Sequence, residues 1–442
     1  MSGIFGVVSQ KECRNDLFWG THYVQHRAQE YCGLATYDGR EFNPQSERGI
    51  LKNNFPRKKR EGIEGYSGVG AVASERQPVS ELSRSGGMVT CFDGNIINNE
   101  EIKNGLLKGG ATFSGYHNPE AVNDSVLVSR IISEEVNFEK GIESLVNEIK
   151  GDFAVISLTK EGIYAARGWG RKPLIIGEKD GSYAVSSESN SFENPGFEIY
   201  RDVEPGEIVL LNKDGVHHVK QLDMNPIKYG TFEWIYTAYP SSVIDGRSVA
   251  LVREEIGRLL AERCHVEADI ISPIPNSGRW HAMGYSNYYP LAKGLSDVSG
   301  VKYAEVFVRY DYSSRSFTPG DQDERDEEAW SKLIPVRAVI KGNRIIIVDD
   351  SIVRGTQTLN KTHELRHHGA KEVHCMVACP PLTCACSYGK TTKKDEDCLA
   401  RRMPVEEFPE KLGLDSINFA TVDELEKAIG ISKKNLCLEC WQ

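Results

Sequence analysis

The sequence predicts two domains of different class: a strand-rich α+β half, then an α/β half built on a parallel sheet. Three observations carry this. The chain has 442 residues, more than a single hydrophobic core holds comfortably, so two domains of roughly 200 residues are expected. Its first half is a series of short apolar strands broken by Gly and polar turns, whereas its second half alternates strand with helix. The composition, 40% hydrophobic and 26% charged, is that of a folded protein and excludes wholesale disorder.

In the first half, Gly3–Val8, Met88–Phe92, Phe153–Leu158, Tyr183–Ser187 and Glu207–Leu211 read as strands, at a spacing that suggests stacked or sandwiched sheets. Helices are expected near Asn123–Glu134 and Gly141–Glu148. The pattern changes near Lys228, which sets the domains at residues 1–228 and 229–442. Within Arg247–Arg263, Val249, Val252, Ile256, Leu259 and Leu260 share one helical face. The apolar strand Asp269–Ile274 follows and ends in the turn Pro275-Asn276-Ser277-Gly278. Strand Arg344–Val348 then leads through a Gly-containing loop into helix Thr358–His368 and strand Glu372–Ala378. His367 and His368 fit the C-terminal turn of that helix better than a ligand pair. The acidic run Asp321–Glu328 reads as a solvated loop.

Charge and cysteine usage narrow the class. Lys plus Arg is 53 against 63 for Asp plus Glu, a net −10 that argues against non-specific nucleic-acid binding. The start MSGIFGVVSQKE lacks the basic and apolar regions of a signal peptide. Apolar runs such as Ile345–Val348 fall far short of the ~20 residues of a membrane span. A cytoplasmic protein with no membrane or nucleic-acid partner is expected. Seven of the eleven cysteines lie between Cys375 and Cys440, which reads as a reduced chain with a local metal or cluster site.

The most informative segment is Arg344–Thr358. Three Ile and a Val make a buried strand, and Asp349 and Asp350 fall at its carboxyl end, where open α/β sheets bind ligands. Gly355 and the flanking hydroxyl residues open a helix whose free N–H groups can cradle a phosphate. The two acids are placed to grip sugar hydroxyls directly or through Mg²⁺. A strand end with solvated acids and a capped helix is the plain alternative.

The whole string VDDSIVRGT resembles the phosphoribosyl-pyrophosphate (PRPP) signature of type I phosphoribosyltransferases, and is nearly verbatim that of the amidophosphoribosyltransferase family. By that resemblance Ser351, Arg354, Gly355, Thr356, Gln357 and Thr358 hold the 5′-phosphate. Pro275–Arg279 resembles the pyrophosphate loop, which puts Asn276, Ser277, Gly278 and Arg279 on PRPP, with Ser277 joining Asp349 and Asp350 at Mg²⁺. Val308–Pro319 resembles the loop that closes over PRPP, which gives Arg309 and Tyr310 catalytic positions.

The likeness extends through the first half in Gln25–Glu30, Ala165–Leu174, Ser187–Ser189 and Arg201–Ile208. It implies an N-terminal-nucleophile (class II glutamine amidotransferase) sandwich: two antiparallel sheets between helix layers, with the first mature residue as nucleophile. That chemistry needs a thiolate, its own α-amine as base and an oxyanion hole. The sequence departs from it. Ser2 stands at the nucleophile position where the family has Cys, and Gly65-Tyr66-Ser67-Gly68 is set against the family's Arg-Tyr clamp for the glutamine carboxylate. Asp93 replaces the oxyanion-hole Asn, and the Asp that holds the substrate amine falls at Asn123 or Asp124. A degenerate glutaminase site is expected.

In cluster-bearing relatives one Cys precedes a Tyr-Gly pair and two come from a terminal CxxCF. Cys386, Cys437 and Cys440 match these positions, while Gly230 stands where the remaining ligand would be. The resemblance thus implies a [4Fe–4S] cluster or zinc, with Cys384 or Cys398 completing the set, against buried cysteines as plain hydrophobes.

The function implied is that of a pentosyltransferase of the purine-biosynthesis type. It joins PRPP to a nitrogen nucleophile, releases pyrophosphate, and takes ammonia, free or from a separate source, in preference to glutamine. The alternatives are a PRPP-dependent transferase of specialised metabolism acting on another amine, and a catalytically silent PRPP-binding regulator. A homo-oligomer is expected.

Overall fold

The computed structural model describes residues 2–113, 122–264, 266–292, 301–310, 332–389, 392 and 394–441. The acidic run Asp321–Glu328 and residues 311–319 of the expected closing loop lie outside them. Two compact units form. The first is Met1–Gly230 with Ser241–Gly246 and Ser387–Lys390; the second is Thr231–Pro240, Arg247–Cys386 and Thr391–Gln442. Among the described residues no helix is long and apolar enough to cross a membrane.

The first unit is a sandwich. One sheet has the strand order Glu198–Asp202, Ile175–Lys179, Ser182–Ser186, Ser2–Val8, Ser67–Ala73, Tyr31–Tyr37, Phe42–Arg48. The other runs Gly215–Gln221, Glu207–Asn212, Gly162–Arg167, Gly151–Thr159, Gly86–Ile96, Val79–Ser83. Side chains that alternate along each strand serve two different layers. Ile4 and Val8 enter the core between the sheets with Val69, Cys91, Ile156 and Leu211. Phe5 and Val7 point the other way, against Leu17 and Phe18 of helix Arg14–Tyr23. Helices Asp124–Glu134 and Phe138–Glu148 cover the outer face of the second sheet through Leu127, Ile131, Ile142 and Leu145. This double burial explains why Ser2–Val8 is buried throughout.

The second unit centres on a five-stranded sheet in the order Lys302–Tyr303, Ile270–Pro273, Arg344–Asp349, Glu372–Val377, Ser416–Phe419, every pair parallel. Helix Val249–Arg263 carries the expected apolar face, with Val252, Ile256, Leu259 and Leu260 buried. A second helix, Arg279–Ala292, was not evident from periodicity. Gly257 and Gly284 let these two helices meet, since a side chain at either would strike the carbonyl of His281 or Glu254. A short antiparallel ladder pairs Phe307–Arg309 with Leu333–Pro335.

Candidate active sites

In the second unit, two loops leave adjacent parallel strands side by side. Pro273 pairs with Val348, so the chain emerges from both strands at one level. The Ile274 amide donates to the Val348 carbonyl at 2.9 Å, and the Gly278 amide closes the turn onto the Ile274 carbonyl at 3.0 Å. Only glycine fits at 278, because a Cβ would collide with the Val348 carbonyl. The bond between Pro275 and Asn276 is cis. This turn brings Asn276, Ser277 and Gly278 beside the strand end that carries Asp349 and Asp350.

The two acids face few compensating groups. The Asp350 amide donates to Asp349 Oδ1 at 2.9 Å, and Ser351 Oγ donates to Asp350 Oδ2 at 2.6 Å. Burial, and then the neighbouring Asp350 carboxylate, push the Asp349 carboxyl well above its ordinary value. A divalent cation beside the pair relieves that penalty, and hard oxygen donors are what Mg²⁺ takes. Beyond them Gly355 turns with φ +80° and opens helix Thr356–His367. The first-turn N–H groups of Thr356, Gln357 and Thr358 have no partners within their own helix. Arg354 pairs with Asp397 and Arg279 with Glu305, at 3.0 and 2.7 Å. Arg309 ends the short ladder and Tyr310 follows it, with the Tyr310 amide donating to the Lys332 carbonyl at 2.8 Å.

In the first unit, Ser2 sits in a buried charge network. Its backbone N donates to Asp93 Oδ1 at 2.9 Å, and its carbonyl accepts from Arg27 Nε at 2.8 Å. Arg27 bridges two acids, reaching Asp93 at 3.0 Å and Glu188 at 2.7 Å. Lys172 lies 3.7 Å from Asp93, while His26 and Ser242 complete Glu188 at 2.7 and 2.9 Å. Burial alone would raise the Asp93 carboxyl, but Lys172 and Arg27 outweigh it and hold the group below the usual carboxylate range. The motif strings that recur through this half are therefore the sources of its buried and half-buried ion pairs. Arg167 forms a bidentate pair with Asp245 at 2.7 and 3.0 Å, and Arg201 another with Glu207 at 2.7 and 2.8 Å.

Known proteins share this architecture. Residues 68–194 match the glutamine amidotransferase domain family. Over its full length the chain is 32% identical to the amidophosphoribosyltransferase of Methanocaldococcus jannaschii, of which it spans 96%. The chain belongs to the amidophosphoribosyltransferase family. The Bacillus subtilis amidophosphoribosyltransferase is 30% identical, with 99% of this chain and 92% of the relative covered. A solved glutamine PRPP amidotransferase from B. subtilis, in complex with ADP and GMP, superposes with a TM-score of 0.88 at 29% identity, over 100% of this chain and 96% of that one. The fold is thus a class II glutamine amidotransferase domain followed by a phosphoribosyltransferase domain, and the chain is an enzyme of a pentosyltransferase family.

Set beside that family, the first unit corrects one expectation. Ser2 pairs with Ala73 and Val8 with Ser67, so Gly65-Tyr66-Ser67-Gly68 lies at the far end of the strand from Ser2. Six residues of extended chain separate the ends by about 20 Å. The residue beside Ser2, where a clamp would be needed, is Ala73. The segment Ser67–Ala73 is all Ser, Gly, Val and Ala, so its sequence carries no mark of register. No local motif marks Gln77, yet its Nε2 lies 3.3 Å from Ser2 Oγ and donates to the Phe92 carbonyl at 2.9 Å. Asn123 caps helix Asp124–Glu134, while the buried Asp124 carboxylate accepts from the Ile96 amide at 3.1 Å.

The C-terminal thiols gather only in part. Cys440 packs with Leu382 and Cys398, and Cys386 and Trp441 lie against them. A hydrogen bond with Cys386, then burial, then the nearby Cys437 and Cys384 raise the Cys440 thiol. Cys384 donates to the Glu439 carbonyl at 2.9 Å. Among the described residues no three His, Cys, Asp or Glu side chains form a metal-holding group. At Gly230 a side chain would strike the Arg171 carbonyl, so the position has no room for the family's remaining cysteine.

Proposed function

We propose that this enzyme transfers the phosphoribosyl group of PRPP to ammonia and no longer hydrolyses glutamine. The observation that carries the reading is the shared crevice: the Pro275–Gly278 turn, the Asp349–Asp350 pair and the N-terminus of helix Thr356–His367 meet at the ends of two adjacent strands. Ser351, Arg354, Gly355, Thr356, Gln357 and Thr358 would hold the 5′-phosphate, and Asn276, Ser277, Gly278 and Arg279 the pyrophosphate. Asp349, Asp350 and Ser277 would hold Mg²⁺, which when bound supplies charge to the leaving pyrophosphate. The C1′–O bond breaks with its electron pair leaving on pyrophosphate, the ammonia nitrogen bonds to C1′, and the surplus proton passes to solvent. Arg309 and Tyr310, at the base of the expected closing loop, would shield the cationic ribose from water.

For the first unit, three features support loss of glutaminase chemistry: a hydroxyl nucleophile at Ser2, Ala73 beside it, and Asp93 bound to its backbone N. Cys386, Cys437 and Cys440 match three family ligand positions, with Cys384 or Cys398 to complete the set, but the described thiols form no metal-holding group, and elemental analysis of anaerobically prepared protein for iron, sulfide and zinc checks this. Self-association, implied by the family, is read by light scattering.

The deciding experiment measures pyrophosphate release from PRPP with Mg²⁺ and either ammonium or glutamine. Ammonium is expected to support turnover and glutamine to give only background. Equal rates with glutamine overturn the ammonia reading, and release only with some other amine moves the acceptor.

A further inference from the structure

The loop between Asp350 and helix Thr356–His367 carries a single cation, Arg354, and a neighbouring segment grips the chain on both sides of it. The Val353 carbonyl accepts from the Leu399 amide at 2.7 Å, and the Arg354 carbonyl accepts from Arg402 Nη2 at 3.0 Å. Next along the loop, Gly355 faces Leu399 and Leu412 so closely that a Cβ would lie 2.9 Å from each. The same segment supplies Asp397. Its Oδ1 accepts from Arg354 Nε at 3.1 Å and lies 3.0 Å from Nη2. The brace therefore fixes three consecutive residues, 353 to 355, by backbone, side chain and packing together.

Guanidinium has five N–H donors in one plane. Asp397 takes the edge formed by Nε and Nη2 and leaves the Nη1 edge open, which is enough for a second bidentate anion. We propose that Asp397 is a positioning residue for phosphate recognition, holding Arg354 so that its open edge meets the 5′-phosphate of the ligand. This rests on the PRPP reading of the same loop. A carboxylate near a phosphate also repels it, but Asp397 and Arg354 are 24% and 42% exposed, so salt and water screen that repulsion. Restriction of a long side chain to one orientation is not screened, and pre-organisation of this kind strengthens binding.

The test uses the full-length protein, with ribose 5-phosphate and inorganic pyrophosphate as separate calorimetric probes, alongside PRPP kinetics. Asp397→Asn is expected to weaken ribose 5-phosphate about tenfold and raise the KM for PRPP by a similar factor. Pyrophosphate affinity and kcat should stay within about twofold, and Asp397→Glu should recover most of the loss, a pattern that general destabilisation does not produce. Unchanged or tighter binding of ribose 5-phosphate by Asp397→Asn overturns the proposal, the second result meaning that Asp397 competes with the ligand. Equal loss of both probes, unrescued by Asp397→Glu, overturns it as well. Wild-type protein that binds neither probe overturns the PRPP reading itself.

Discussion

The Ser2 network of the first unit and the Asp349–Asp350 site of the second are both built on buried or half-buried carboxylates, and they treat charge in opposite ways. Around Ser2 every acid is matched: Asp93 by Arg27, Lys172 and an amide, Glu188 by Arg27, His26 and a hydroxyl. At Asp349 and Asp350 the described partners are an amide and a hydroxyl, with no cationic side chain among the described residues. The carboxyl shifts follow, lowered at Asp93 and raised at Asp349. A network that satisfies its own charges is complete without a ligand, whereas a strand end with two crowded acids is completed by a cation. Family membership covers both units; on the function proposed above, this difference separates a retained scaffold from a working site.

The largest effect should come from removing the crowded acids. Asp349→Asn with Asp350→Asn keeps shape and volume, so the fold should survive while Mg²⁺-dependent pyrophosphate release falls by at least ~10³-fold. Normal turnover by this double variant would mean that the acid pair is not where the cation acts.

Breaking the matched network should instead cost stability. Asp93→Asn leaves Arg27 and Lys172 facing a neutral group, at a cost of about 3 kcal/mol in urea unfolding at pH 7. The sign with pH is fixed by the lowered value. Asp93 stabilises the fold above the unfolded aspartate value of about 3.9, and that contribution disappears as pH falls through its folded value. Asp349 runs the other way: its raised value makes the folded state bind the extra proton, so its contribution worsens as pH climbs from about 3.9 through the folded value. Unfolding curves of Asp93→Asn and Asp349→Asn across pH 3–8 should therefore diverge from wild type in opposite directions. Parallel curves would erase the distinction between the two regions.

The smallest effect concerns chemistry at Ser2. Ser2→Cys alone should leave glutamate release from glutamine at background, because Ala73 and Asp93 remain. Loss of a single oxyanion donor costs ~10²–10³ in rate. Adding Ala73→Arg and Asp93→Asn should raise release by roughly 10²-fold over Ser2→Cys. Rapid, PRPP-stimulated release from Ser2→Cys alone would show that the hydroxyl was the sole obstacle and that the network is no barrier.

How much was legible depends on how local each feature is. The phosphate-site strand, its acids, Gly355 and the following helix occupy one stretch of chain, and the helix is observed at Thr356–His367. Strands at Ser2–Val8, Gly151–Thr159 and Glu207–Asn212 cover the expected ones. Helix Arg279–Ala292 was hidden because it buries Tyr285 and Tyr289, whose hydroxyls need carbonyl partners from Cys264 and Val266. No apolar stripe announces such a helix.

By itself the sequence determined the strand-rich and the alternating half and the contiguous phosphate loop, because apolar periodicity and short-range turn chemistry are written in neighbouring residues, and the resemblance of motif strings such as VDDSIVRGT pointed to the family. Only the tertiary structure decided that Ala73 and Gln77 stand at Ser2, that Gly65 does not, and that Asp397 holds Arg354. Those pairings cross strands or close long loops. An antiparallel register shifts without any local signature when its strand is Gly, Ala and Val throughout, so which side chains meet is settled by packing of the whole sheet.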